Sequence, residues 1–315
     1  MAERRSVAAD VVGSNPTSRP KIFHFHRVIS SAAALILRAI LLALPVRSAL
    51  PRAAQPPETI SPPPSAPNLF IGTSGWSYPT WKPAFYPPGV PARSFLSYYA
   101  SQLTAVEVNY TFRALPTASQ IENWMASVPA GFRFSFKAPQ RITHFARLRD
   151  CEPLITAFLN SIAATRAGNL GPLLFQLPPN FQANRDLLAS FLDLAPFQHA
   201  RAQLAFEFRH RSWFSDDIYS VLRAHNAALC VAESDDLQSP DVRTASHRCY
   251  RLRRSGGYTE AELDAFAERF VAMAHDGEVY VFMKHEDEPT GALNAARLQQ
   301  RAAELAPSPA RGERG

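Results

Sequence analysis

Between residues 68 and 304 the chain repeats one pattern, a short apolar run followed by a loop and, in most repeats, an amphipathic helical stretch. Strands are predicted at 68–72, 105–110, 133–137, 173–176, the first half of 204–213, 228–233, 249–253 and 278–284. Helices are predicted at 94–102, 118–127, 153–166, 184–194, 216–225, 259–273 and 292–304. Ser94 and Asn184 stand where N-caps belong, and Thr259 with Glu262 has the spacing of a capping box. Strands alternating with helices bury themselves as a parallel sheet with the helices outside. Eight such units in this length match a TIM (β/α)8 barrel. The rival is an open doubly wound sheet, which a G-x-G-x-x-G turn after the first strand would favour. Gly72-Thr73-Ser74-Gly75 lacks that spacing and runs into aromatics instead of a helix. The expected fold is therefore a single α/β TIM-barrel-like domain.

The formal net charge of +6 has to be located before it is used. Residues 1–67 hold eight Lys or Arg against three acids, and residues 305–315 hold two Arg against one Glu. Residues 68–304 hold 23 of each sign, so the folded part lacks a basic footprint for nucleic acid. Cys151, Cys230 and Cys249 form no close-spaced pair, which argues against a disulfide framework or a cysteine metal cage. The cytoplasm is the expected compartment.

Residues 1–67 read as a low-complexity, disordered extension, Pro-rich from 50 to 67, and 305–315 as a disordered tail. Residues 21–54 faintly resemble a secretory signal, with Arg38 interrupting the apolar run, and would export the protein if they act as one. No membrane span is expected of the folded domain. A further hypothesis is a true start near residues 60–68. Val12-Gly13-Ser14-Asn15-Pro16-Thr17 is what one frame of a transfer-RNA T-arm encodes, GGT-TCG-AAT-CC giving Gly-Ser-Asn-Pro. A gene sequence without transfer-RNA-like nucleotides there would refute it.

The fifth strand carries the first functional hint. Glu207 and Arg209 are two residues apart in an apolar run, so both project from the face of Ala205, opposite Leu204, Phe206 and Phe208. Such charges cost several kcal/mol of desolvation unless paired or wet. A structural ion pair and the floor of a polar pocket both satisfy that condition. Polar groups recur late on the other strands: Glu107, Asn109, Lys137, Gln176, Glu233, Arg251, Arg253 and Lys284. In a TIM barrel these ends converge on the one open mouth where reacting groups sit. The chain has 29 Arg and only four Lys, yet Lys137 and Lys284 both fall at strand ends. A compact ammonium whose pKa falls on burial suits a proton shuttle or a Schiff base; buried ion pairing is the simpler alternative.

Glu107, Glu207, Glu233, His144 and His285 have oxygen and nitrogen donors, but no His-x-His or His-x-x-x-His spacing marks a metal site, and none is expected. Trp76, Tyr78, Trp81, Tyr86, Tyr110, Phe112 and Trp213 cluster beside strand ends. They form either the walls of a small-molecule pocket or a packed lid.

Several of these stretches together resemble the YecE-like family, domain of unknown function number 72. They are Gly72-Thr73-Ser74-Gly75-Trp76, Trp81, Phe85-Tyr86-Pro87, Val106-Glu107-Val108-Asn109-Tyr110-Thr111-Phe112, Phe134-Ser135-Phe136-Lys137 and Ile142-Thr143-His144. Leu173-Leu174-Phe175-Gln176-Leu177-Pro178-Pro179, Glu207-Phe208-Arg209, Ser212-Trp213 and Tyr250-Arg251-Leu252-Arg253 complete the set. The resemblance spans about residues 69–298 and implies a TIM-barrel-like fold without an established activity. It departs at the eighth strand, where Phe282-Met283-Lys284-His285 replaces the family's Phe-Asn-Asn, while Gly291-Ala292-Leu293-Asn294-Ala295 is kept.

The expected function is metal-independent acid–base chemistry on a small polar or anionic substrate. Glu207, Lys137 and Glu107 are the candidate catalytic groups. Arg209, Arg251, Arg253, Asn109, Gln176, His144, Lys284, Trp76, Trp81, Tyr110 and Trp213 are the candidate substrate-binding groups. The alternatives are a metal-dependent barrel acting on sugar or nucleic acid, and a barrel that binds a small molecule without converting it. No cofactor is expected.

Overall fold

The computed structural model describes residues 63–306 except 201, 234, 236 and 285–287. The expectations for residues 1–62, His285 and 307–315 lie outside the described residues. Eight parallel strands close into a barrel in sequence order: Leu69–Thr73 (β1), Ala105–Val108 (β2), Arg133–Lys137 (β3), Leu170–Gln176 (β4), Leu204–Glu207 (β5), Ala227–Glu233 (β6), Arg248–Leu252 (β7) and Val279–Met283 (β8). Outside them lie Phe95–Gln102 (α1), Ala118–Ala126 (α2), Glu152–Ser161 (α3), Arg185–Leu192 (α4), Ala195–Ala200 (α5), Asp216–Ala224 (α6), Glu260–Ala274 (α7) and Thr290–Leu305 (α8). The expected TIM-barrel architecture is the one observed.

Local chemistry explains most boundaries. The Asn184 side chain accepts from the Leu187 N–H, and Thr259 with Glu262 closes a capping box at the start of α7. Thr117 and Gln120 close another before α2. Ser94 sits at the N-cap of α1 without a capping bond, because a 3-10 turn over Ala92–Ser94 already leads the chain into the helix. The helix expected over 184–194 is α4, and a further short helix that was not expected, α5, follows it; Pro196 falls in the first turn of α5, where a missing N–H costs nothing. β4 starts at Leu170, earlier than its apolar run, because the ladder with β3 shifts register between Phe134 and Phe136 and so accommodates Pro172. No helix joins β6 to β7 among the described residues; there Thr244 ties the connection to β6, its hydroxyl accepting from the Leu229 N–H and donating to the Ala227 carbonyl. Residues 63–67, assigned by composition to the extension, meet the barrel: the Pro64 carbonyl accepts from Gln299 on α8, and Ala66 is buried.

Alternation along each strand divides the core in two. Val106, Val108, Phe134, Phe136, Phe175, Phe206 and Val281 pack outward with the helices. Inside the barrel lie Ala105, Leu174, Ala205, Ala228, Cys230, Cys249, Tyr280 and Phe282. Many interior positions are small, and that leaves space for one long side chain, Arg251, which is 1% exposed. β1 and β2 approach so closely that a Cβ on Gly72 would lie 1.8 Å from the Ala105 carbonyl oxygen. The Tyr99 hydroxyl of α1 enters that seam, accepting from the Thr73 N–H at 2.8 Å and donating to the Ala105 carbonyl at 2.9 Å.

Candidate active site at the open end of the barrel

The floor of the barrel mouth is an ion triad. Arg251 on β7 reaches across the interior, its Nη2 donating to Glu107 Oε1 on β2 at 2.7 Å and its Nη1 donating to Glu207 Oε2 on β5. Both carboxylates are fully buried. Arg209 Nε donates to the other oxygen of Glu207, so the charge pair foreseen on the fifth strand exists and extends to β7. Gln176 Oε1 lies 3.4 Å from Arg251 Nη1, and Ser74 Oγ lies 3.4 Å from Arg251 Nη2 and 3.5 Å from Arg253 Nη1. Asn109 donates to the Ser74 carbonyl at 3.1 Å. Five strands or their ends thus meet in one network, as the shared late position of their polar residues requires.

The electrostatics separate residues that hold charge from residues that exchange a proton. Burial favours the protonated form of Glu207, but Arg251 and Arg209 outweigh it and hold the carboxyl down at about 2. Burial also works against the Arg251 charge, and Glu107 with Glu207 more than offsets it, keeping this guanidinium protonated. Lys137, at the end of β3, is different. Burial and the neighbouring Arg251 bring its ammonium down to about 8, against the pull of Glu107 and Glu207. Its Nζ lies 4.3 Å from the centre of the Phe112 ring and makes no ion pair among the described residues. Burial and Arg251 likewise lower Arg253, to about 10, and it too has no carboxylate partner among the described residues. His144, in a π-helical turn over Arg141–Phe145, sets its ring edge-on to Phe112 at 5.1 Å, with Nδ1 2.8 Å from the Thr143 hydroxyl. Burial, then Lys137 and Arg147, push its pKa below the ordinary value.

Among the described residues no group of three His, Cys, Asp or Glu is placed to hold a metal ion. Glu107 and Glu207, the donors a metal reading would need, share the Arg251 guanidinium instead.

Residues 70–313 match the family described as "Protein of unknown function DUF72". The chain belongs to this family. It is 32% identical over 185 residues to UPF0759 protein YunF of Bacillus subtilis (strain 168), covering 56% of this chain and 64% of that protein. It is 34% identical over 149 residues to UPF0759 protein YecE of Escherichia coli (strain K12), covering 47% of this chain and 50% of that one. The aligned part therefore spans between half and two thirds of these curated relatives. A DUF72 family protein from Thermotoga maritima shares the fold with TM-score 0.65 and 25% identity over 74% of this chain and 98% of its own. Another from Enterococcus faecalis gives TM-score 0.58 at 20% identity, over 74% of this chain and 96% of its own.

In this DUF72 barrel the aromatics divide. Trp81 and Trp213 are fully buried and line no opening. Trp81 packs against Tyr78, Phe85 and Tyr86, while Trp213 stacks on Phe208 at 4.6 Å and donates its indole N–H to the Phe181 carbonyl at 2.6 Å. The proline-rich loop after β1 folds back into a packed cluster, so these rings are core. Trp76 is partly buried edge-on to Trp124, and Tyr110 is 46% exposed in the turn after β2. Two polar strand ends fall outside the triad network. Glu233 has the outward parity of Leu229 and Val231 and pairs with Arg254 at 3.7 Å. Lys284 lies toward the β7 loop, its Nζ 3.4 Å from Ser255 Oγ. Ser74 is not among the expected site residues; it follows the end of β1, two positions beyond Gly72 and on the same inward parity, which the two-residue period alone would have marked, while Phe112, one of the expected wall or lid aromatics, lies against Lys137.

Proposed function

We propose that the mouth of this DUF72 barrel binds a small anionic substrate and performs acid–base chemistry on it without a resident metal. One observation carries the reading: four cations, Lys137, Arg209, Arg251 and Arg253, face two carboxylates, Glu107 and Glu207, and the two carboxylates are already engaged by Arg251 and Arg209. Lys137 and Arg253 are left with uncompensated charge at the partly exposed rim. An anion entering there meets a charge-assisted donor set at low dielectric.

The roles follow from the proton affinities. Glu207 and Glu107 hold Arg251 in place, and Glu207, kept near 2, is a poor proton carrier at neutral pH. Lys137 titrates near 8 and is the group to give or take a proton. Arg253 and Arg209 take the anionic group, with Asn109, Gln176 and Ser74 orienting the remainder. The three cysteines are free and buried, which supports a reducing compartment such as the cytoplasm. Calorimetric titration with inorganic phosphate and with pyruvate tests the reading. Binding of either that is lost in Arg253→Ala and Lys137→Met, with circular dichroism unchanged, supports it; unchanged affinity in both variants refutes it.

A further inference from the structure

We propose that Lys137 acts covalently, forming an imine with the carbonyl carbon of a small anionic oxo compound whose acid group is held by Arg253 and Arg209. This rests on the anion-site reading above and adds the substrate class.

Three placements carry it. First, the Lys137 amine is available. Its Nζ has the Phe112 ring face at 4.3 Å and no carboxylate within ion-pair distance, unlike Arg209 and Arg251 beside it. Burial and the neighbouring Arg251 and Arg253 disfavour the ammonium, so Lys137 offers more free, nucleophilic amine at neutral pH than an ordinary lysine does. Second, the acid group has a seat that does not compete for the amine: Arg253 has only the weak 3.5 Å contact to Ser74 Oγ. Third, β2, the strand beside Lys137, carries buried acceptors that the protein leaves unused. Glu107 Oε2 and Asn109 Oδ1 have no hydrogen-bond partner among the described residues. A hydroxyl-bearing intermediate formed next to Lys137 supplies the donor they lack.

The step balances without an oxidant or a reductant. The Nζ lone pair forms the C–N bond while the carbonyl π pair moves onto oxygen, and one N–H proton transfers to that oxygen. The resulting hydroxyl leaves as water after taking a proton from solvent. The product is a protonated iminium, with the substrate's anionic group as the nearest counter-charge. The iminium then accepts the electron pair of the adjacent C–H bond as that proton passes to water, leaving a neutral enamine.

The chain suits a direct test because it has four lysines, Lys21, Lys82, Lys137 and Lys284. The full chain is treated at neutral pH with pyruvate and sodium cyanoborohydride, and with acetone as the uncharged comparison. Peptide mass spectrometry then gives the rate of alkylation at each lysine. Lys82, whose Nζ donates to the Pro88 carbonyl at 3.1 Å, is the internal reference. Pyruvate should label Lys137 about tenfold or more faster than Lys82, because Arg253 holds its carboxylate and so places the carbonyl carbon beside the amine. Acetone should lose most of that preference, and so should pyruvate in Arg253→Ala. Labelling of Lys137 no faster than Lys82 overturns the proposal. If that happens while calorimetry still finds phosphate bound in an Arg253-dependent manner, the covalent role falls and the anion site stands. If phosphate binding is absent too, both fall.

Discussion

Arg251 and Glu207 meet inside the barrel from strands that are not neighbours, β7 and β5, with β6 between them. Each is at most 1% exposed. The same guanidinium holds Glu107 from the opposite wall. One cation therefore bridges two buried carboxylates, Arg209 adds a second partner for Glu207, and neither carboxylate has bulk water as an alternative.

Replacing Arg251 with Met should destabilise the fold by about 3–5 kcal/mol, because it strands the buried Glu107 carboxylate without a counter-charge and leaves Glu207 only Arg209. Urea unfolding at pH 7 measures the loss. Adding Glu107→Gln and Glu207→Gln to the same chain should restore part of it, since neutral amides cost far less to bury than ions. No recovery in the triple variant would mean that the packing of Arg251, and not its charge, is what matters.

Acid should release the Glu207 contribution over a defined window. Its carboxyl stands at about 2 in the folded protein against an ordinary 4.5. The unfolded chain thus binds the proton more tightly, and the stabilisation is complete above 4.5 and lost as the pH falls toward 2. Urea midpoints of the wild type should drop through this window more steeply than those of Glu207→Gln. Parallel curves would contradict the assignment.

Lys137 works in the other direction. Its folded value of about 8 lies below the ordinary 10.5, so the ammonium is disfavoured on folding and stability rises as the pH climbs from 8 to 10.5. At pH 7 Lys137→Met should therefore be more stable than the wild type, by up to about 3 kcal/mol, while losing anion binding. Thermal unfolding at pH 7 and pH 10.5 reads both ends; the advantage should shrink at the higher pH.

Trp213→Ala separates core from site. Removing a buried ring stacked on Phe208, together with its hydrogen bond to the Phe181 carbonyl, should cost about 3–5 kcal/mol of stability. Phosphate affinity measured well below the lowered melting temperature should stay within a factor of about two. A large loss of affinity would return Trp213 to the site.

The two-residue period of strands made both fold and site legible where it was applied strictly. Ala205, Glu207 and Arg209 share the inward face as their spacing demands, and the late polar residues of β2, β3, β4, β5 and β7 do gather. Glu233 shows the limit. It is late on its strand and charged, but one register position off the inward parity, and so it faces Arg254. Ring burial was not legible: Trp81 and Tyr110 both follow strand ends, yet loop folding hides one completely and leaves the other 46% exposed. Proton affinity was also beyond sequence, because the fate of Glu207 depends on Arg251, 44 positions away, crossing the interior to meet it. Spacing along one strand reports which way a side chain points, not which partner arrives from another.

The Arg251 crossing also orders events in time. Glu107 precedes its counter-charge by 144 residues, so a chain emerging from synthesis carries two inward carboxylates and no cation to seat between them until β7 appears. Closing the barrel before that point would bury Glu107 uncompensated and leave Glu207 only Arg209. The interior should therefore stay wet and the early strands loosely docked until residue 251 is available, and the anion site should come into being in the same step that dries the barrel.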